Sequence, residues 1–355
     1  MSETRKIQKI GNTLYVSIPK SWTDQLHLKH GEKVTLLTQQ DGSISIYPQM
    51  SNQRREITLN VTRKSSSQSL KRGIIGAYLD GFDTIKVKTE FTFTEDQHDS
   101  IRETIDSLFG LELIEVTGNT MNIVCLLKQS MPVNKAVTRI HNVIISMWSE
   151  TISAVENKNV DLIKGLTRRT RDIKRLIMVT NRLLRSSILF PKPSHSDSIP
   201  LIDCVDYLQI LHVTSEITGN LNKIAKNLNS LTCKQLPPEI SVLLVKTGKS
   251  IQKMYDDSVQ ALLNKDIPLA NNVLDSCINF DDLWTQCLQL SGESELSSLV
   301  QPTIRLIFDS LEQIQHHAHE IAYISIDRTE AADARASQDM PSKKSLFAKK
   351  LKNNK

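Results

Sequence analysis

The stretch Arg5-Lys6-Ile7-Gln8-Lys9-Ile10-Gly11-Asn12-Thr13-Leu14-Tyr15-Val16-Ser17-Ile18-Pro19-Lys20 decides how the start of the chain folds. Two short strand patterns flank a Gly-Asn turn, and a proline ends the second of them. Further on, Gly31-Glu32-Lys33-Val34 follows an amphipathic stretch, and Asp41-Gly42-Ser43 marks a second hairpin. Ile7, Leu14, Val16, Ile18, Val34, Leu36, Ile44 and Ile46 alternate with polar neighbours, so each strand has one apolar face. A unit of about 40 to 50 residues buries too little surface to stand alone, and no cysteine lies in residues 1–48 to staple it. The segment is therefore expected to pair with a second copy. A two-fold would double Arg5, Lys6, Lys9 and Lys20 into a cationic surface suited to the phosphates of a pseudo-palindromic duplex. Asn12 either reaches a base edge or serves only a turn with positive φ. Exposed lysines and arginines are ordinary one by one, and it is their joint placement that points to DNA.

The run Gly11-Asn12-x-Leu14-x-Val16-x-Ile18-Pro19-Lys20 resembles the SpoVT/AbrB swapped-hairpin fold, and within it the MazE branch. The resemblance implies an all-β, DNA-binding and dimerising domain over residues 1–48.

The chain has 355 residues, 39% of them hydrophobic and 23% charged, which suggests two to four domains. No apolar run approaches the ~18 residues of a membrane-spanning helix, and Met1-Ser2-Glu3-Thr4-Arg5 lacks a signal-peptide core, so no membrane insertion is expected. Cys125, Cys204, Cys233, Cys277 and Cys287 form no Cys-x-x-Cys pair, which favours free thiols in the cytoplasm. A net charge of +5 permits nucleic-acid binding without demanding it.

Residues 48–55 read as a linker, and residues 54–129 as a small α+β sandwich. Ile57, Leu59 and Val61 alternate as a strand. A helix is predicted over 67–80, a strand over 84–88, and a capping box at Thr94-Glu95-Asp96-Gln97 opens a helix running to Leu108. Strands over 111–116 and 121–127 close a hairpin across Thr117-Gly118-Asn119. The basic group Arg54, Arg55, Arg63, Lys64, Lys71 and Arg72 reads as a solvated face or as a second DNA contact.

From Pro132 onward the pattern is helical, with helices predicted over 133–157, 159–188, 200–231, 238–264, 266–290 and 294–326. An internal repeat runs through them. Ala154-Val155-Glu156-Asn157-Lys158-Asn159-Val160-Asp161-Leu162 aligns with Ala261-Leu262-Leu263-Asn264-Lys265-Asp266-Ile267-Pro268-Leu269. Leu176 falls on Leu283 at the same offset, and Ile217 and Ile224-Ala225 match Ile314 and Ile321-Ala322. One three-helix unit used twice is expected, over 132–232 and 238–327, each burying its own stripe and the two packing side by side.

These paired repeats, with Leu311-Glu312-Gln313-Ile314-Gln315-His316-His317-Ala318-His319-Glu320-Ile321-Ala322 on a third helix, resemble the PhoU family, whose segment reads Glu-Arg-Ile-x-Asp-His-Ala-x-x-Ile-Ala. The whole order, swapped-hairpin head, α+β unit and helical tail, resembles archaeal PhoU-like phosphate uptake regulators. That resemblance implies control of phosphate uptake, with metal clusters in some members held by carboxylates four apart. The first repeat departs from the family site, because Ser215, Gly219, Thr170 and Lys174 stand at its positions. In the second repeat Glu312 and His316, with Cys277 and Asp281 opposite, form a degenerate site for Zn or Fe, or else are ordinary packing and surface residues.

Between 164 and 185, Arg168, Arg171, Arg175 and Arg182 share one helical face, which meets solvent, DNA, a phosphate species or an acidic partner. Residues 331–355 are polar, end in a basic amphipathic segment, and are expected to be disordered. The sequence has no Gly-x-x-x-x-Gly-Lys loop, Gly-x-Ser-x-Gly elbow or His-Glu-x-x-His helix, so no enzyme is expected. The expectation is a multidomain, dimeric, DNA-binding regulator of phosphate uptake and homeostasis whose helical tail senses a ligand or docks a phosphate transporter ATPase or another phosphate-signalling protein. The alternative is an adaptor without DNA affinity, its head only dimerising. An antitoxin ranks last, because that branch carries a short toxin-binding tail.

Overall fold

The computed structural model describes residues 3–38, 43–48, 54–127, 132–189, 199–231, 236–291 and 300–339. The chain divides into two units, residues 1–55 with 190–198, and residues 56–189 with 199–355.

In the first unit, β1 (Gln8–Ile10) pairs antiparallel with β2 (Thr13–Tyr15), α1 (Lys20–Gln25) follows Pro19, and β3 (Val34–Thr38) pairs antiparallel with β4 (Ile44–Pro48). The Asp-Gly turn expected at 41 and 42 lies outside the described residues.

The second unit opens with the α+β layer: β5 (Glu56–Val61), α2 (Ser67–Leu79), β6 (Thr84–Thr89), α3 (Glu95–Asp106), β7 (Leu111–Val116) and β8 (Thr120–Cys125). The sheet order is β5-β6-β8-β7, with β5 and β6 parallel and the remaining pairs antiparallel. Alternation puts Ile85, Val87, Met121 and Ile123, all fully buried, on the face covered by the helices. The capping box forms as the sequence indicates. Thr94 Oγ1 accepts from the Gln97 backbone N–H at 3.3 Å, and Gln97 Oε1 accepts from the Thr94 backbone N–H at 3.2 Å.

The helical body comprises α4 (Val133–Glu156), a 3-10 turn (Val160–Ile163), α5 (Leu166–Leu189), α6 (Leu201–Ser230), α7 (Pro238–Asn264), α8 (Ile267–Asp275), α9 (Phe280–Ser291) and α10 (Val300–Asp339). Three expected boundaries are corrected. The helix read over 159–188 begins only at Leu166, because Lys158 turns left-handed (φ 50) and the Asn159 side chain caps the 3-10 turn. The helix read over 266–290 is two helices, since Ser276 is extended and Asn279 Oδ1 accepts from the backbone N–H groups of Asp281 and Asp282, starting α9 afresh. The last helix runs through Asp339, so residues 331–339 are helical where disorder was expected. Residues 340–355 lie outside the described set.

The repeat is written into the backbone. Lys158 and Lys265 both take positive φ (50° and 57°), and the N–H of the next residue closes onto Ala154 O and Ala261 O, each at 3.0 Å. Asn159 and Asp266 then cap the following turn with their side chains. One continuous apolar core runs through both repeats. α4 crosses α7 through Trp148 stacked on Tyr255 (6.3 Å between ring centres), with Gly248 next to Ile152. His141 Nε2 lies 3.0 Å from Asp256 Oδ1 at this crossing, and burial lowers the imidazole pKa against the raising influence of that carboxylate. Buried hydroxyls are absorbed locally, Thr151, Thr170, Thr180, Thr214 and Thr218 each donating to the carbonyl four residues back.

Candidate nucleic-acid interface

Gly11, at φ +62, supplies the left-handed position of the first hairpin turn, and Asn12 does not take positive φ. That assignment fits glycine at the first central position of a two-residue turn, so the turn asks nothing special of Asn12. Pairing sets Lys9 opposite Leu14, while Gln8 opposes Tyr15 and Ile10 opposes Thr13 on the other face. Lys9 thus shares its face with an apolar side chain rather than with a polar row. Lys20 is the first residue of α1, one turn after the β2 strand leaves the hairpin. Arg5 donates to Glu3 at 2.6 Å, and Lys6, Lys9 and Lys20 hold no ion pair among the described residues.

Large apolar side chains of this unit are uncovered: Ile7 is 68% exposed, Leu14 67%, Leu36 61% and Ile44 65%. Pro19 is its one buried residue among those described. Alternation therefore produces apolar faces that stay open to solvent among the described residues.

The tentative metal set is not assembled. Among the described residues no three His, Cys, Asp or Glu side chains form a group able to hold a metal ion. Asp281 is 91% exposed and lies 3.8 Å from Arg305, while Cys277 Sγ accepts from Gln315 Nε2 at 3.6 Å. His316 points to solvent and Glu312 is half-buried. The break between α8 and α9 is the cause, because it turns Cys277 into a linker residue clasped by Gln315, which also bonds Ile278 N–H at 2.9 Å. His319 is engaged elsewhere, on Ser276 O at 3.0 Å.

The arginine face of α5 is likewise divided. Arg168 and Arg171 are exposed, but Arg182 is 6% exposed, donates to Tyr78 O at 2.5 Å, and lies 3.5 Å from Asp83. Arg185 pairs with Asp80, and Arg175 stacks over Phe109 at 4.4 Å. Tyr78 and Asp80 end α2, so guanidinium groups meet the negative end of that helix. Half of the expected ligand-facing stripe is thus a joint inside the second unit. The other basic group stays on the surface for the most part, with Arg63 over the Phe91 ring at 5.5 Å.

Among the described residues no helix is long and apolar enough to cross a membrane. No curated protein matches the sequence. Solved structures that resemble it include PhoU from Pseudomonas aeruginosa (18% identity, TM-score 0.49, covering 55% of this chain and 93% of that one), and the phosphate transport system regulatory protein PhoU from Streptococcus pneumoniae (14%, 0.47, 55% and 91%). Residues 7–54 match the family described as antidote-toxin recognition MazE, bacterial antitoxin. The amino-terminal segment of the chain is thus similar to the MazE antitoxins.

Proposed function

We propose that this protein is a dimeric DNA-binding regulator of phosphate uptake, in which the head reads duplex DNA and the helical body is its sensor or docking module. The observation that carries the reading is the head, with apolar faces open to solvent and Lys6, Lys9 and Lys20 exposed and without an ion pair among the described residues. A second copy covers the apolar faces and doubles the cations at once, giving a charge pattern with the two-fold symmetry of a duplex site. Arg5 and Asn12 complete the contact set at the strand and turn of the same hairpin. The phosphate theme rests on the PhoU resemblance of the repeated helices and of the α10 segment 311–322. A ligand or transporter component acts by binding two arrangements of the body unequally, since only differential affinity moves an equilibrium.

The test is fluorescence anisotropy of the full chain on duplex DNA over a salt series. Log K should fall linearly with log salt, by about 0.9 per phosphate contact. Lys9→Ala with Lys20→Ala removes two cations from each copy and should reduce that slope by about 3 to 4. Micromolar or weaker affinity that ignores both salt and the substitutions would overturn the reading in favour of an adaptor. Chromatin occupancy at high and low phosphate then checks the effector.

A further inference from the structure

We propose that the exposed edge of β5 pairs antiparallel with β5 of a second copy, fusing two four-stranded sheets into one of eight strands. The proposal rests on the reading that the heads pair, because that pairing supplies the second copy.

The two edges of the sheet are built differently. β7 carries a bulge between Leu113 and Glu115, and Glu112 and Glu115 on its open face. Bulges and charges are how sheets blunt an edge against strand addition. β5 has neither a bulge nor a proline over its six residues, and its one charged side chain, Glu56, is already engaged by Lys86 of its own sheet at 3.3 Å. Among the described residues no strand pairs with its outer backbone groups, which leaves them as a template for strand addition.

Burial points the same way. Ile85 and Val87 on β6 are fully buried, whereas on the same side of β5 Ile57 and Leu59 are only partly buried at the margin and Val61 alone is buried. The strand sequence Glu-Ile-Thr-Leu-Asn-Val is self-complementary in antiparallel register. With Leu59 opposite its symmetry mate, Ile57 meets Val61 of the other copy on the helix side, and Thr58 meets Asn60 on the open side. No like charges oppose one another, and a two-fold normal to the sheet keeps both helix layers on one face. Only residues 49–55 separate β4 from β5, so paired heads hold two β5 strands at high effective concentration.

Cross-linking of the full chain tests this, in a background of Cys125→Ser, Cys233→Ser and Cys277→Ser. Thr58→Cys on β5 and Glu112→Cys on β7 are treated with a short bis-maleimide at low micromolar protein, alongside sedimentation equilibrium. The expected result is a dimer in which Thr58→Cys cross-links between copies at least tenfold faster than Glu112→Cys. A dimer without that preference overturns the β5 pairing and leaves head pairing standing. A monomer at these concentrations overturns both.

Discussion

Arg182→Met removes a guanidinium while keeping most of the buried stem. Three interactions go with it: the donation to Tyr78 O at 2.5 Å, the Asp83 ion pair at 3.5 Å, and the stacking on the Tyr78 ring at 5.0 Å. A buried hydrogen bond from a charged donor contributes about 1.5–3 kcal/mol. The cation–π contact adds about 0.5–1 kcal/mol. Methionine recovers part of the apolar burial, so the net loss should be about 2–3 kcal/mol. Arg182 also joins α5 to the end of α2, so the loss falls on the connection between the α+β layer and the helical body. The tryptophans are Trp22, Trp148 and Trp284, none of them in the α+β layer. Urea unfolding followed at once by tryptophan fluorescence and far-ultraviolet circular dichroism therefore separates the two parts. The variant should lower the midpoint by up to about 1 M and pull the two curves apart. Arg171→Met, at an exposed site on the same helix, should shift it by no more than about 0.2 M. If both substitutions behave alike, the joint does not hold the layers together and the reasoning fails.

His141 gives a pH dependence of definite sign. Burial lowers its folded pKa below the ordinary 6.5, so the unfolded chain binds the proton more readily. Its contribution is complete above that value and is lost as pH falls from 6.5 through the lowered folded pKa. Urea midpoints at pH 7.5 and 5.5 should differ more in the wild type than in His141→Gln. Lys265→Gly relieves a left-handed backbone and should stabilise the chain by about 0.5–1 kcal/mol, with Lys158→Gly doing the same at the matching turn; calorimetry showing a loss at either would refute the capping account. Thr94→Ala should cost about 1 kcal/mol in the same measurement, because it removes half of the capping box.

Much of the fold was legible because the determinants are local. The Gly-Asn turn and the Thr94 capping box are set by neighbours within a few residues, and the structure places both where the sequence indicates. The repeat was legible for the same reason, as both copies place a left-handed lysine ahead of a short capping side chain, Asn159 in one and Asp266 in the other. The break at 276–279 was not, having neither glycine nor proline; Asn279 ahead of Phe280-Asp281-Asp282 was the one available cue. Cys277 and Asp281 are parted at that point, because i and i+4 spacing places two side chains on one face only if the helix continues.

Periodicity alone fixed which side chains of the head are apolar, which cations sit beside them, and that one copy cannot bury those faces. It could not say what an arginine row on α5 meets, since solvent and a helix end about a hundred residues earlier in the chain demand the same pattern. Tertiary structure decided that, by bringing the carbonyl end of α2 against Arg182 and leaving Arg168 and Arg171 in water. Local backbone preferences are written in adjacent residues, whereas the partner of a charged side chain is chosen by how distant elements pack.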